Sequence, residues 1–571
     1  MENRKIADIF NQVADLLDIR GENPFRIRSY RAAARTIEDL PENLAGALAE
    51  GGDLTELPGI GRDLAGKIAE IAGTGRLKFL DELKKKLPPG LPELLRLEGI
   101  GPKKVKLFYE EAGVDSLDSL EAAARAGRLR NLPRMGEKSE EKIVRAIESY
   151  RRTAGRFRLD VGFSEAEKIL RALRPAAEEL FPAGSLRRRR ETIGDLDILA
   201  VARDRSALIK SFINHPETAA ILAEGSTRSA VRLENGLQVD LRIMAKEDFG
   251  AALLYFTGSK AHNIALRRRA KEMGLKVSEY GIFRGQDKVA GRTEQECYRA
   301  LGLPWIPPEL RENRGEIEAA EAGRLPKLIE GEAIRGDLQM HSTASDGKES
   351  VVEMARAAGK LGYRYIAITD HSRAVRVAGG LDEKELAEHL KEIEKAGDKC
   401  PKIRILKGVE VDILADGTLD LADSILRECE VVVASIHYNF NLPEKEMTRR
   451  IVRGLKNPYV NIFGHPTGRL LLQREPYAFD FEEVVKAAVG EGVTLEINAH
   501  PARLDLNDVL ARRAKELGAR LVIDTDAHSS RQLDLMVYGI FTARRAWLEK
   551  DDVINTYPLD KLLVALNRPA G

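Results

Sequence analysis

Gly184–Ala200 reads GSLRRRRETIGDLDILA. Its tail, DLDILA, has the alternation of a strand, in which residues two apart share a face. Asp195 and Asp197 therefore project together, while Leu196 and Ile198 turn into a core. Two adjacent carboxylates repel each other and share a site readily only when cations join them. Hard oxygen ligands select Mg²⁺ or Mn²⁺. Upstream, the Gly184-Ser185 turn offers N–H and hydroxyl donors to phosphate, and Arg187 to Arg190 supply positive charge. Alone, a D-x-D pair is as readily a surface strand pair beside a solvated arginine loop. Phosphate donors, a basic run and paired carboxylates in one segment point to nucleotidyl transfer.

Downstream, SAVRLENGLQVDLRIM holds two apolar-alternating runs joined at Asn235-Gly236, a hairpin turn signal. The second run carries Asp240, a third carboxylate that completes a two-metal site with Asp195 and Asp197. Next comes LLYFTGSKAHNIALRRR. Tyr255 and Phe256 precede a Thr-Gly-Ser turn and read either as core or as the wall of a sugar pocket. Asn263 opens the following helix as a hydrogen-bond partner for a base edge.

Upstream, residues 1–50 read as two or three helices, the first with Ile6, Ile9, Phe10, Val13, Leu16 and Leu17 at helical spacing. Tyr30, among Arg26, Arg28, Arg31 and Arg35, is read as core or as facing a DNA phosphate. LPGIGRDLAGKI (57–68) is a helix-hairpin-helix signature: Gly59 and Gly61 permit a tight turn, and the new helix turns N–H groups toward a phosphate. LEGIGPKKVKLF (97–108) repeats it with Gly99, Gly101, Lys103 and Lys104, and LPRMGEKSEEKI (132–143) is a degraded third copy. Two clear copies in a basic region predict binding to a nucleic-acid backbone without regard to sequence.

At 571 residues the chain holds several domains. No apolar run is long enough to span a bilayer, and MENRKIADIF lacks a signal-peptide pattern. Cys297, Cys400 and Cys429 are far apart and form no C-x-x-C, so a reducing, cytoplasmic setting is expected. The net charge of +1 hides an asymmetry: residues 1–300 hold 53 Lys+Arg against 46 Asp+Glu, and residues 301–571 hold 38 against 44. A basic first half fits a polyanionic partner, and an acidic second half fits a metal-rich site.

After Gly336 apolar strands alternate with helices (YIAITD, IRILKGVEVDI, VVVASIH, NIFGHP, TLEINAH, LVIDTDAH), an arrangement that predicts a β/α barrel. Ligand-type residues gather at the strand ends: Asp337, Gln339, His341, Asp346, Asp370, His371, Glu410, Asp412, His437, His465, Glu496, His500, Asp526 and His528. Six of the nine histidines fall in this group. Strand C-termini are where such barrels place their chemistry, and His with carboxylate suits Zn²⁺ or Mn²⁺.

LPGIG, GIGP, GSLRR…GDLD, VDLR and YFTGS, in this order, resemble the family X DNA polymerases, the group of DNA polymerase beta. DLQMHSTASDG, ITDH, GVE, SIH, GHP and TDAH resemble the polymerase and histidinol phosphatase (PHP) superfamily, a barrel that bacterial and archaeal family X polymerases carry after the thumb. The resemblance implies a multidomain α+β chain: a lyase-like helical domain (1–85), fingers (86–155), palm (156–245), thumb (246–315), linker (316–334) and a distorted (β/α)7 PHP barrel (335–571). It implies Asp195, Asp197 and Asp240 as catalytic metal ligands, Gly184, Ser185, Arg188 and Gly194 at the triphosphate, and Tyr255, Phe256, Gly258 and Asn263 around sugar and base. Arg187, Arg189 and Arg190 are then left as solvated charge. Ile193 stands where animal relatives carry a phosphate-contacting Ser, and Lys260 where they carry an acid, so Lys260 is expected to add a triphosphate contact. Lys67 matches the Schiff-base lysine of beta-type relatives, but Asp63 replaces a supporting Lys and opposes the free amine such a nucleophile needs.

In the barrel the resemblance implies up to three Mn²⁺ or Zn²⁺ ions. One is expected at His341, Glu410 and Asp526 with Gln339, a second at Glu410, His437 and His465, and a third at Asp346, His371 and His528. Gln339 departs from the usual His, and an amide oxygen is a weaker ligand for Zn²⁺. The implied activity is gap-filling DNA synthesis by two-metal transfer, in base-excision repair, with a Mn²⁺-dependent 3′→5′ exonuclease that extends to abasic sites or 3′-phosphates. Gapped or nicked DNA and dNTPs are the expected partners of a monomer. Two other readings compete: a template-independent nucleotidyltransferase, which needs no pair of DNA-binding hairpins, and a DNA-end scaffold with an inactive barrel, for which Gln339 speaks.

Overall fold

The computed structural model describes residues 3–39, 44, 54–57, 59–97, 99–133 and 135–566. Pro58, Glu98 and Arg134, inside the three hairpin motifs, lie outside this set, as does any third helix after Asp39 and before residue 50. The chain forms two compact units, residues 1–154 and 155–571. Among the described residues no helix is long and apolar enough to cross a membrane.

The first unit is helical. Asn3–Ile19 buries Ile6, Phe10, Val13 and Leu17 completely, as the 3.6-residue spacing requires, against the helix Pro24–Asp39. Tyr30 is core: it is 1% exposed and packs between Phe10 and Phe79, with ring centroids 5.4 and 6.3 Å away. Three further helices, Arg62–Thr74, Pro102–Ala112 and Glu137–Thr153, each start inside one of the hairpin motifs, just after its second glycine or, in the third, its glycine.

The second unit opens with the helix Leu159–Leu173, packed on a five-stranded sheet. Ala177–Pro182, Asp195–Ala202, Gln238–Ile243, Arg228–Leu233 and Thr218–Ala223 follow in that spatial order. Asp195–Ala202 and Gln238–Ile243 run parallel; the other pairs are antiparallel. The helices Phe249–Thr257 and Lys260–Glu272 come next. The stretch expected as a linker is packed: Glu316–Glu321 buries Ile317 and Ala320, and fully buried Glu316 accepts from the backbone N–H of Asn313 and Arg314.

From Gly336 seven parallel strands follow in sequence order. Tyr365–Ile368, Val431–Ser435, Thr494–Asn498 and Leu521–Asp524 are buried throughout, as strands covered on both faces must be. The sheet nearly closes: Met340 bridges Ala527 in parallel, and the His341 N–H donates to the Ala527 carbonyl at 2.8 Å. The strand ends at this seam carry the histidine-rich loops.

Candidate active sites

The first centre lies on the five-stranded sheet. Parallel register sets Asp197 directly beside Asp240, and alternation along the strand adds Asp195 to the same face. Leu196 and Ile198 are fully buried on the other. Burial, reinforced by the charges of Asp195 and Asp240, pushes the Asp197 carboxyl up to about 7. Three carboxylates gathered on one sheet face are a donor set of hard oxygens, so divalent cations fit here. Two residues not singled out in the sequence orient Asp240. Arg228 donates to its Oδ1 at 2.9 Å and Gln238 to its Oδ2 at 2.7 Å. Gln238 shares Asp240's strand face by spacing; Arg228 is brought there only by the hairpin.

Gly184 has φ of 59°, and a Cβ there would lie 2.5 Å from Asp197 Oδ2, so only glycine lets the turn approach the carboxylate. Ser185, Arg188, Gly194 and Asp195 line one cleft of about 500 Å³, completed by Arg156, Arg190, Gln238 and Glu312. Gly258 adjoins it: a Cβ there would meet Arg188 Nη1 at 3.2 Å. Tyr255 and Phe256 form an edge-on ring pair 5.1 Å apart, with the Arg242 guanidinium 4.3 Å from the centroid of the Phe256 ring. Asn263 Nδ2 donates to the Tyr255 carbonyl at 2.6 Å, while its buried Oδ1 has no hydrogen-bond partner. Lys260 is exposed at the first turn of its helix.

The arginine run is not solvated charge. Arg187 donates to both carboxylate oxygens of Glu294, at 2.7 and 2.8 Å, and to Thr257 Oγ1. Arg189, at φ 58°, lies over the rings of Phe163 and Phe541, 4.6 and 4.4 Å from their centroids. Arg190 lies 4.0 Å from Glu312. These partners are distant in sequence, so the run alone did not reveal them. Ile193 is fully buried in the core and offers no polar group to a phosphate.

Among the described residues of the barrel, three groups of ligand atoms come close enough to hold an ion: His341, Glu410 and Asp526; His371, Glu410 and His437; and His341, Asp346, His371 and His528. The first contains the expected trio, and the last contains the expected Asp346, His371 and His528. The group around Glu410 and His437 takes in His371 rather than His465, although His465 Nε2 lies 3.0 Å from Glu410 Oε1. Asp526 and His465 hold left-handed φ values of 54° and 28°, turning their side chains inward at the strand ends. Burial disfavours the charged form of His371 and His528, but neighbouring carboxylates win. Glu410 and Asp346 push His371 up to about 9, and Asp346 and Asp526 do the same for His528.

Gln339 is fully buried, and both its amide atoms lack a hydrogen-bond partner, as do Nδ1 of His341 and of His465. Buried polar atoms are seldom left so, and His341 is also a member of two of the ligand groups, so the residues fit divalent ions. Asp337 lies deeper and hydrogen-bonds Thr525; burial pushes it up to about 7. His437 Nδ1 lies 3.0 Å from Asp412 Oδ2. Asp370 accepts from Ser342 and Ser345 and pairs with His389 at 2.8 Å, bracing the loop that carries His341 and Asp346. His389 sits in a helix, away from any strand-end motif.

In the first unit the three hairpins share one turn. The N–H of Ile60, Ile100 and Met135 donates to the carbonyl of Leu57, Leu97 and Leu132. Gly59 and Gly99 hold φ values of 77° and 73°. Gly61, Gly101 and Gly136 are extended N-caps that, as glycines, supply no capping side chain, an arrangement suited to a phosphate at the helix N-terminus. Lys103 is exposed, and Lys104 folds back onto the Gly99 carbonyl at 2.7 Å. Lys67 is ion-paired with Asp63 and lies over the rings of Tyr30 and Phe79.

Comparison with known proteins agrees with these parts. Residues 1–77 match a helix-hairpin-helix domain, 91–149 a SAM-like helix-hairpin-helix tandem, 252–312 the DNA polymerase beta thumb and 337–500 the PHP domain. The chain is 40% identical to the DNA polymerase/3′-5′ exonuclease PolX of Bacillus subtilis over the full length of both. A probable phosphatase of Thermoanaerobacter sp. is 31% identical over 38% of this chain and 89% of its own. DNA polymerase lambda of Arabidopsis thaliana is 24% identical over 54% of this chain and 62% of its own.

Proposed function

The chain belongs to the family X DNA polymerases that carry a C-terminal PHP domain, and from that premise we propose that it is a gap-filling repair polymerase which also trims 3′ ends. The observation that carries the synthetic half is Asp197 in register with Asp240 beside an arginine-lined cleft. Asp195, Asp197 and Asp240 would hold Mg²⁺ or Mn²⁺, which when bound lower the barrier to phosphoryl transfer by offsetting developing negative charge. The remaining work belongs to the chain's own groups. Ser185, Arg188 and the Gly184 and Gly194 backbone bind the triphosphate; Tyr255, Phe256 and Gly258 shape the sugar site; Asn263 Oδ1 is free to accept from a base. Lys260 adds charge at the helix start. Gly59, Gly61, Gly99, Gly101, Lys103 and Lys104 grip DNA phosphates, which suits a substrate chosen by form and not by sequence.

The barrel is proposed as a Mn²⁺-dependent 3′→5′ exonuclease, with abasic-site cleavage and 3′-phosphate removal as related activities. Gln339, His341, Glu410 and Asp526, then Glu410, His437 and His465 with His371, then Asp346, His371 and His528 would hold its ions. The orphaned, buried Gln339 amide supports a working first set, since such an atom is costly to leave unmade. Domain boundaries other than the packed stretch 316–334, cytoplasmic location and a monomeric state are proposed as the sequence gives them.

Nucleotide incorporation on a one-nucleotide gap, compared with a single-stranded oligonucleotide, tests the reading. Strong preference for the gap is expected; equal extension of both would favour a template-independent transferase. An inactive barrel is the correct reading if Mn²⁺ elicits no degradation of a 3′ end. A 5′-deoxyribose-phosphate lyase role for Lys67 is proposed only as a secondary activity, because Lys67 is paired with Asp63. Borohydride trapping of a 5′-deoxyribose-phosphate end, lost in Lys67→Ala, is the outcome that role requires.

A further inference from the structure

The barrel helix Met536–Arg545 reaches the arginine run of the polymerase centre. Arg545, 4% exposed, donates from Nη1 to the Arg188 carbonyl at 2.7 Å and to Glu312 Oε1 at 3.1 Å. Its Nη2 bonds Asp508 Oδ2 at 2.7 Å, which anchors the guanidinium to the barrel; Arg314 shares that carboxylate at 2.9 Å. Arg188 Nε donates to the same Glu312 oxygen at 3.1 Å. One turn earlier on the helix, Phe541 lies under the Arg189 guanidinium. A single helix of the barrel therefore fixes the main chain at Arg188 and the side chain at Arg189.

Glu312 makes this arrangement consequential. It lines the cleft with Ser185, Arg188 and Asp195, so an ionised carboxylate faces the space where a triphosphate would bind. Burial works against its charge, but Arg545, Arg188 and Arg190 hold its carboxyl below the usual range, so it stays ionised. An anion in an anion pocket weakens binding unless a cation offsets it, and Arg188 cannot both offset Glu312 and serve a phosphate in full. Resting on the nucleotide-site reading above, we infer that Arg545 is a positioning residue for DNA synthesis: it neutralises Glu312 and aims Arg188 into the cleft, so the barrel sets the polymerase's affinity for nucleotide.

Steady-state filling of a one-nucleotide gap by the full chain, reading KM for dNTP and kcat separately, tests this with Arg545→Met, Arg545→Lys, Arg188→Met and the double variant Arg545→Met/Glu312→Gln. Arg545→Met is expected to raise KM about tenfold with kcat within about twofold, because the lost interaction acts on bound nucleotide before chemistry. Arg545→Lys should recover part of the loss. The double variant should return KM to within about threefold of the parent, which a merely structural role for Arg545 would not produce. The inference is overturned if Arg545→Met leaves KM unchanged while Arg188→Met raises it, or if removing the Glu312 charge rescues nothing. An unchanged KM in Arg188→Met would instead overturn the pocket assignment, and the inference with it.

Discussion

At Asp195, Asp197 and Asp240 like charges crowd one sheet face, whereas in the barrel Glu410 alone lies within 3.6 Å of four imidazoles, those of His341, His371, His437 and His465. In the first set Arg228 pairs with Asp240 at 2.9 Å, yet burial and the neighbouring Asp195 and Asp240 suppress the charge on Asp197. The second mixes acid and base, so its charges stabilise each other: Glu410 is held well below the usual carboxylate range by the histidines despite complete burial. A carboxylate-only site is assembled in full only with metal and substrate, which suits a step that starts on nucleotide arrival. A mixed site is held ready by its own pairing, at the cost of protons that compete with metal for the imidazoles.

The sharpest way to break this comparison is to disable one centre at a time. Asp195→Ala/Asp197→Ala should lower gap filling by about a thousandfold or more and leave Mn²⁺-dependent 3′ degradation within about twofold. His341→Ala should do the reverse. Loss of both activities in either variant would mean that the two centres are not independent.

Next in size is the support beneath the arginine run. Glu294 is 5% exposed and takes both Arg187 and Arg311. Burial opposes its charge, yet Arg311 and Arg187 hold its carboxyl far below the ordinary range. A depressed carboxyl contributes stability that is present above its unfolded value, about 4.3, and is lost as pH falls toward the folded value. Glu294→Gln should therefore lower stability at neutral pH by about 3–5 kcal/mol, since it removes the charge that pairs fully buried Arg311 and half-buried Arg187. It should also flatten the acid limb of the stability curve below about pH 4.3. Denaturant titrations across pH check both.

Metal addition has a smaller expected effect. At a hundredfold excess over its dissociation constant, Mn²⁺ should stabilise the barrel by about 2.7 kcal/mol. Calorimetry should show this in the wild type and in Asp195→Ala/Asp197→Ala, but not in His341→Ala. Smallest is Gln339→His, which exchanges an amide for imidazole and should raise Zn²⁺ retention over Mn²⁺ by about tenfold after dialysis, measured by elemental analysis.

Much of this was legible in the sequence because local patterning carries it. Alternation around Asp195 and Asp197 fixed their shared face, Asn235-Gly236 marked the hairpin that brings Asp240 back, and histidines ending apolar strands marked the barrel's chemical end. What was not legible depends on contacts between distant segments. Arg187 and Arg189 read as solvent-facing because Glu294 and Phe541 lie some 107 and 352 positions away. Arg228, Glu312, His389 and Arg545 sit in no motif, and only tertiary packing gives them partners. The stretch 316–334 read as a tether because it is charged and small-residue-rich; Glu316 earns its burial from His262 Nδ1, 2.6 Å away.

Asp197 and Asp240 share one rung of a parallel ladder. Their Cα separation is thus set by the interstrand spacing, about 4.8 Å, while Arg228 and Gln238 set the direction of the Asp240 carboxylate. A gap held by main-chain hydrogen bonds keeps its width when side chains soften on warming. It also tolerates no change of arm length: glutamate at either position overshoots a ruler whose divisions are peptide groups. The backbone gap beneath these two carboxylates is in this sense a property of the sheet, and sequence change elsewhere in the chain can drift widely without altering it.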